Sequence, residues 1–420
     1  MQQSKSELVE TASFPIEKIR RQFPALSIPN SIYLDNPAGT QVPAQVVRAV
    51  SDCLVNSNAN LGGYFRTAIA AGEIVDSGHQ AMADLLGTDD PGEVIIGANM
   101  TTLTFHLSRS ICRDFQPGDE IIVTRMDHEG DVAPWLEIAD DKGLNVVWAD
   151  FDPEKWQITE DTLRSLLTER TRLVALNHAS NLTGAVNDIK RLVSLVKNHG
   201  AIAYVDSTQF VPHGLVDVRD IGCDFLVCSA YKFFGPHLGI AWGRRAMLEA
   251  MHAYKCRCVS EELPAKFETG TPQIELIAGL SGLIEYYAWL GAELGAGGTV
   301  REKIQKAYEA SEQYEDGLAR RLISELQALP GMRILGPTYE TAAAPRVPTV
   351  SFLHSDTSPE TIARALADQG IFVWDGHNYA LGTVRQLGIP EHEGVVRVGL
   401  AHYNTEAEVT KVVEAIAGAL

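Results

Sequence analysis

Cysteine is scarce in this sequence, with six among 420 residues, too few for a disulfide scaffold. Cys53 and Cys112 stand alone, and Cys223 and Cys228 flank an apolar run. Cys256-x-Cys258 is followed by no second Cys or His pair at finger spacing, so no metal is expected and reduced, buried thiols are the simpler reading. Basic residues are also in deficit: 35 Lys+Arg stand against 54 Asp+Glu, a formal net charge of −19. Such a chain repels phosphate backbones, which argues against nucleic acid as a partner. It still leaves room for one positive cleft that takes a small anion. No run approaches the ~18 apolar residues of a spanning helix, and the opening MQQSKSELVETASF has no apolar signal core. No membrane partner and a cytoplasmic location are therefore expected. Also missing are G-x-G-x-x-G after a strand, G-x-x-x-x-G-K-[ST], H-E-x-x-H and G-x-S-x-G, which removes most support for ATP, NAD and serine-hydrolase chemistry.

What is present is an ordinary globular composition, 45% hydrophobic and 21% charged, in a length that suits a large domain with a satellite. From about 92 to 245, apolar β-branched runs (GEVIIGA, DEIIVTR, NVVWAD, RLVALNHAS, AIAYVDS, DFLVCSA) alternate with helical stretches near 101–113, 133–142, 159–167 and 189–199. These runs do not alternate in and out, so they read as strands buried on both faces of a mostly parallel sheet covered by helices, an α/β fold. After residues 267–272 the pattern changes to long helices near 274–290 and 300–329. Short strands in MRILG, VPTVSFL, GIFVW and GVVRVGL follow, with helices near 359–369 and 405–420. The expected organisation is an N-terminal arm over 1–30, a large domain over 31–275, and a smaller α+β domain over 276–420 that opens with a linker helix.

In a parallel sheet, ligands bind beyond the carboxyl ends of the strands. Those ends carry Asn99–Thr102, Asp127–His128, Asn177–Asn181, Asp206–Gln209 and Ser229–Lys232. A lysine, a buried acid, an imidazole, amides and hydroxyls gathered there match what pyridoxal 5′-phosphate demands: a Schiff-base lysine, an acid for the pyridine nitrogen and donors for the phosphate. Lys232 sits among Tyr231, Phe233 and Phe234, a poorly hydrated setting that lowers an amine's pKa and favours imine formation. Taken alone it also fits a side chain snorkelling from a strand end. Asp206 ends an apolar strand and needs a partner, which a protonated ring nitrogen supplies; a helix cap is the competing role. Gln209, three residues on, reaches either the cofactor's phenolic oxygen or a capping position. Thr101 and Thr102 open a helix whose free N–H groups suit a phosphate, with Ser229 as a further donor. His128 stacks on a flat ring or serves structure, and Asn181 contacts the ligand or a turn.

Together these residues resemble the class V branch of pyridoxal-phosphate-dependent aminotransferases, particularly the cysteine desulfurase and selenocysteine lyase group. The likeness runs from Tyr-Leu-Asp-Asn-Pro-Ala-Gly-Thr (33–40) to Arg-Val-Gly-Leu-Ala-His-Tyr-Asn-Thr (397–405). It is greatest toward a cysteine-desulfurase-like subgroup that lacks the loop cysteine. The resemblance implies fold type I, with a mostly parallel seven-stranded sheet in the large domain. It also implies that Lys232 carries the Schiff base, Asp206 pairs the pyridine nitrogen and His128 stacks on the ring. Asn181 and Gln209 would contact the phenolic oxygen, and Thr101, Thr102 and Ser229 the phosphate. Thr271, within Phe-Glu-Thr-Gly-Thr-Pro (267–272), would reach the phosphate across the interface of a homodimer with shared sites. Asn36, Ala38, Asn181, Tyr379 and Arg397 would meet an amino-acid substrate, Arg397 as the two-pronged carboxylate clamp that guanidinium geometry favours.

Two departures matter. Desulfurases that carry sulfur as a persulfide place a cysteine after Gly-His-His, where this chain has Gly376-His377-Asn378-Tyr379; and the residue before the lysine, commonly His in that group, is Tyr231. The expected function is cleavage at the β-carbon of a cysteine-like amino acid. The alternatives are a class V aminotransferase or epimerase acting at Cα, and a homologue that binds the cofactor without turnover.

Overall fold

The computed structural model describes residues 14–339 and 345–420; residues 1–13 of the expected arm lie outside the described residues. After a two-residue strand β1 (Ile32–Tyr33), the chain lays down β2 (Val94–Gly97), β3 (Glu120–Thr124), β4 (Asn145–Ala149), β5 (Thr171–Asn177), β6 (Ile202–Asp206), β7 (Phe225–Ser229) and β8 (Gly239–Gly243). These seven form one sheet in the order β2-β8-β7-β6-β5-β3-β4. All neighbours are parallel except that β8 runs antiparallel to both β2 and β7. Alternate residues feed two cores: Ile96, Leu226 and Cys228 pack on one face, Ile95, Phe225 and Val227 on the other. Helices on both sides cover those faces, so the strands carry apolar residues at consecutive positions. β8, of sequence Gly-Ile-Ala-Trp-Gly, and the helices Ala44–Asn56 and Arg66–Leu86 are elements that the sequence pattern did not announce. The helix expected from Ala133 begins at Glu129, with Pro134 inside it and His128 as its N-cap.

The C-terminal part holds an antiparallel sheet of β9 (Met332–Leu335), β10 (Thr349–His354) and β12 (Val396–Gly399), ordered β12-β10-β9. It packs on the helices Val300–Gln327, Pro359–Ala367 and Glu406–Ala419 through Leu318, Leu322, Ile362 and Val409. Thr299 with Glu302, and Thr405 with Glu408, form reciprocal capping boxes that start the first and last of these helices. The strand β11 (Ile371–Phe372) pairs with β1, in parallel, and Asp35 bridges to Gly399. Residues 32–35 therefore join the C-terminal strands, not the seven-stranded sheet. Among the described residues, no helix is long and apolar enough to cross a membrane. All six cysteines are free; Cys53, Cys112, Cys223 and Cys228 are buried, but Cys256 and Cys258 are exposed, which corrects the expectation that the thiols are all buried.

Candidate active site

The carboxyl ends of β5, β6 and β7 and the start of the helix Met100–Ile111 surround a cavity of about 350 Å³. Asp206, the last residue of β6, lines it; burial raises its carboxyl above the ordinary carboxylate range, while the Thr208 amide (2.7 Å) and the charge of Lys232 pull it back. A buried carboxylate so placed calls for a cationic N–H partner. Behind it lie two more acids. Asp127 and Asp131 are 1% and 0% exposed, and one oxygen of each, Oδ1 and Oδ2 respectively, has no hydrogen-bond partner. Burial pushes both carboxyls well up, with Asp206 repelling both and Asp127 repelling Asp131, so the protonated form is favoured.

Lys232 ends the short 3-10 turn Ala230–Lys232 that follows β7. Burial and the nearby Arg397 push its amine down to about 7, against the opposing pull of Asp206 and Asp35. Its Nζ donates to the Pro37 carbonyl, which also accepts from Gln209 Nε2 at 2.8 Å. The turn is fixed from both ends: the Phe234 amide donates to Thr40 Oγ1 at 2.7 Å, and the Thr40 amide to the Tyr231 carbonyl at 3.0 Å. Phe234 is held at φ +69°, a conformation costly for a bulky residue.

His128 Nδ1 accepts from the Gly130 amide at 2.8 Å, so the ring proton resides on Nε2. Burial and the charges of Lys232 and Arg397 push the imidazole down to about 3, which keeps it neutral. At the helix start, the Met100 amide donates to Ser229 Oγ (3.0 Å) and the Thr102 amide to Asn99 Oδ1 (2.8 Å). Close approach here depends on glycine: a Cβ at Gly130 would lie 2.5 Å from Thr101 Oγ1, and one at Gly239 would lie 2.2 Å from the Asn99 backbone.

A second cavity, about 730 Å³, opens outward from Lys232 and Arg397. Arg397, in β12, is 4% exposed; Nη1 donates to the Asn181 carbonyl at 2.9 Å and Nε has no partner. Burial pushes the guanidinium down to about 9, with Asp35 opposing. Tyr379, 64% exposed, stands at the mouth with its ring 5.4 Å from that of His128 at 26°. Asn378 and Tyr379 both have positive φ, and the Asn378 and Tyr379 carbonyls are held by Asn181 Nδ2 (2.7 Å) and the Glu129 amide (2.8 Å).

Of the residues singled out in the sequence, Thr101, His128, Asn181, Asp206, Gln209, Ser229 and Lys232 share the inner cavity, and Ala38, Tyr379 and Arg397 line the outer one. Three stand elsewhere. Asn36 is turned inward: Nδ2 donates to the Gly399 carbonyl at 2.7 Å and Oδ1 accepts from Tyr403, so the wall is made by Pro37 and Ala38 instead. Thr102 is exposed and lines neither cavity, and Thr271 is exposed and away from this chain's own site. The structure adds Asp35, Thr208, His237 and the Pro37 carbonyl. His237 stacks on Tyr231 at 4.9 Å and lines the inner cavity. Asp35, two residues beyond the strand Ile32–Tyr33, was open to the same strand-end reasoning that found Asp206. A backbone carbonyl such as that of Pro37 has no sequence signal.

Pyridoxal phosphate fits these residues. Gln209 Oε1, Asn181 Oδ1 and Thr208 Oγ1 are buried cavity-lining atoms without a partner, as a ring with polar substituents would require. A buried acid, a low-pKa lysine and a helix start with hydroxyls complete the set. Fold and site thus define a type I pyridoxal-phosphate-dependent enzyme. The aminotransferase class-V family matches residues 32–412, and the chain belongs to that family. It is 32% identical to an aminotransferase-like protein of Gibberella zeae, over 97% of this chain and 99% of that one. It is 29% identical to a cysteine desulfurase of Pectobacterium carotovorum, over 96% and 97%. The crystal structure of a cysteine desulfurase from Escherichia coli superposes with a TM-score of 0.83 at 27% identity, covering 97% of this chain and 98% of that one. The apo structure of a cysteine desulfurase from Thermococcus onnurineus gives 0.85 at 26%, covering 100% and 99%.

Proposed function

We propose that the protein cleaves the bond between the β-carbon and sulfur, or selenium, of a cysteine-like amino acid, with Lys232 as the residue that couples to pyridoxal phosphate. The observation that carries this reading is the placement of a buried amine near pKa 7 beside a buried guanidinium whose Nε has no partner. When bound, the cofactor would serve as an electron sink for the Cα carbanion, which labilises the bond at the β-carbon. Asp206 would face its ring nitrogen, Gln209 and Asn181 its phenolic oxygen, and Thr101, Ser229 and the adjoining helix start its phosphate; Thr102, exposed and with its amide engaged by Asn99, takes no part. Arg397 binds the substrate carboxylate and so orients the Cα–H toward Lys232 Nζ. The unprotonated amine takes that proton, a role suited to its lowered pKa. His128, neutral and protonated on Nε2, offers a hydrogen bond rather than a charge, and its flat face packs on the ring.

We also infer a homodimer with shared sites. Thr271 is exposed, and Val55, Tyr64 and Phe65 present apolar surface at 77%, 101% and 60% exposure, which a second copy would cover. The division into a large unit over 31–275 and a smaller one over 276–420 is proposed on the same basis as in the sequence.

The deciding experiment incubates the purified, cofactor-loaded protein with cysteine, cysteine sulfinate, selenocysteine and common amino acids. Sulfide or selenide with alanine or pyruvate supports the proposal. Keto acid formed by amino-group exchange, or an inverted amino acid without bond cleavage, replaces it with chemistry at Cα. Borohydride reduction should fix the cofactor on Lys232; an adduct on another lysine would overturn the site.

A further inference from the structure

The outer cavity runs from the cofactor residues out to a rim whose walls are specific in character. Its inner wall, with Thr101, His128, Asn181 and Lys232, is shared with the inner cavity, but it continues outward past Arg397 to Trp374, Tyr379 and His392, beyond the reach of cysteine, whose side chain is a single methylene and a thiol. The rim is aromatic. Trp374 is 51% exposed, Tyr379 is 64% exposed, and the His377 ring meets the Tyr379 ring edge-on at 6.0 Å. Two carboxylates, Asp375 and Glu391, share that rim, and Glu391 is engaged by Arg385 at 2.6 Å. The positive charge of this cavity is concentrated at its inner end, in Arg397 and Lys232. No cysteine lines either cavity; four of the six are buried elsewhere and the exposed pair, Cys256 and Cys258, lies outside both.

Converting cysteine to alanine releases sulfur at the oxidation level of a persulfide, which needs a thiolate acceptor. No such thiolate stands at the mouth; a tyrosine does, held by the strained pair Asn378–Tyr379. An elimination has no such need.

We propose that the preferred substrate is a cysteine thioether bearing an uncharged aromatic or apolar group on sulfur, and that the aromatic rim of Trp374 and Tyr379 holds that group while it leaves as a thiol. This rests on the reading of the site as one that cleaves at the β-carbon. The balance closes without an oxidant or reductant. Lys232 Nζ takes the α-proton, and the electrons of that bond form the Cα–Cβ double bond. The Cβ–S bond breaks with its electron pair on sulfur, and the thiolate is protonated. Water then displaces the amino group, so that one thioether and one water give one thiol, one pyruvate and one ammonium.

The test compares S-benzyl-L-cysteine, S-carboxymethyl-L-cysteine and L-cysteine on the holoenzyme, following pyruvate and thiol or sulfide. The expected result is a kcat/KM for the benzyl thioether at least about tenfold above that for cysteine and above that for the anionic carboxymethyl compound, with benzyl thiol and pyruvate in equal amounts. Trp374→Ala should lower the benzyl-to-cysteine ratio by about 2- to 10-fold, the size of one aromatic contact of about 0.5–1.5 kcal/mol. Equilibrium binding to Lys232→Ala, which cannot turn over, should show the same order of affinities. If cysteine is cleaved as well as or better than the benzyl compound, the substrate assignment falls and the β-carbon reading stands. If none of the three is cleaved at Cβ while Cα exchange proceeds, both fall. A ratio unmoved in Trp374→Ala removes the aromatic rim from the account.

Discussion

In the cofactor-free protein, the amine of Lys232 should titrate near neutrality. Burial and Arg397 bring it from 10.5 to about 7, so at pH 7 about half of it is unprotonated, against about 0.03% for a lysine at the ordinary value, a difference of over a thousandfold in reactive amine. Brief acylation with a small anhydride at pH values from 6 to 10, read by peptide mass spectrometry and normalised to N-acetyl-lysine amide in the same tube, reports the midpoint directly. Arg397→Gln should move the midpoint up, since a repelling charge is lost. Asp206→Asn should move it down, since an attracting one is lost. The same depression has a stability consequence. Between about 7 and 10.5 the unfolded chain binds a proton at this lysine that the folded one does not, so stability rises with pH across that window and the penalty is complete below it. At 1.36 kcal/mol per pH unit the interval corresponds to about 5 kcal/mol. Lys232→Met should therefore stabilise the apo-protein at pH 7 and flatten its urea-denaturation midpoint against pH. A Lys232 midpoint above 9, or an Arg397→Gln shift in the opposite direction, would refute the reasoning.

Three further outcomes follow from the same geometry. The Asp127–Asp131 pair, its carboxyls raised by burial, favours protonation in the folded chain, so stability falls as pH rises above the ordinary carboxylate range; Asp131→Asn should make that fall shallower than in the parent in urea titrations across pH. Mixing Lys232→Ala with Thr271→Ala chains under proven subunit exchange should restore activity toward that of one intact site per dimer, and no recovery would count against a shared site. Mass spectrometry after turnover with cysteine should find no stoichiometric persulfide on any of the six thiols, since residues 373–385 contain no cysteine and four of the six are buried.

Much of this site was legible because each key residue follows a run that announces itself. Asp206 and Ser229 end five-residue strands that are apolar before them, and Lys232 follows within one turn; short β-branched apolar runs alternating with helical stretches read as strands buried on both faces, and their ends mark the ligand edge. β8 escaped because Gly-Ile-Ala-Trp-Gly is short, bounded by glycines and antiparallel, so no helix precedes it. Asn36 was expected at the substrate only through the resemblance; it lies one residue from the cavity wall, and its side chain satisfies the Gly399 carbonyl and Tyr403 rather than a ligand. Thr102 illustrates the limit of reading a helix start from hydroxyls, since its amide is already taken by the Asn99 cap. The stacking of Tyr379 beside His128 joins positions 251 residues apart, and no local pattern encodes it.

The pairing of Ile32 with Ile371 and of Tyr33 with Phe372 sets an order of events during synthesis. A strand at residues 32–33 waits for residues 371–372, more than three hundred positions later, before it finds its partner, and Asp35 waits longer still for Gly399. Until then the segment that supplies the Pro37 carbonyl is seated only through Gln209, Tyr231 and Phe234, and lacks its strand partner on the other side. The sheet can thus form early from local strand–helix units, while closure of the cavity is the last and slowest contact, governed by sequence separation. A chain stopped before residue 371 would lack the strand that pairs with residues 32–33, and with it the latch beside the active site.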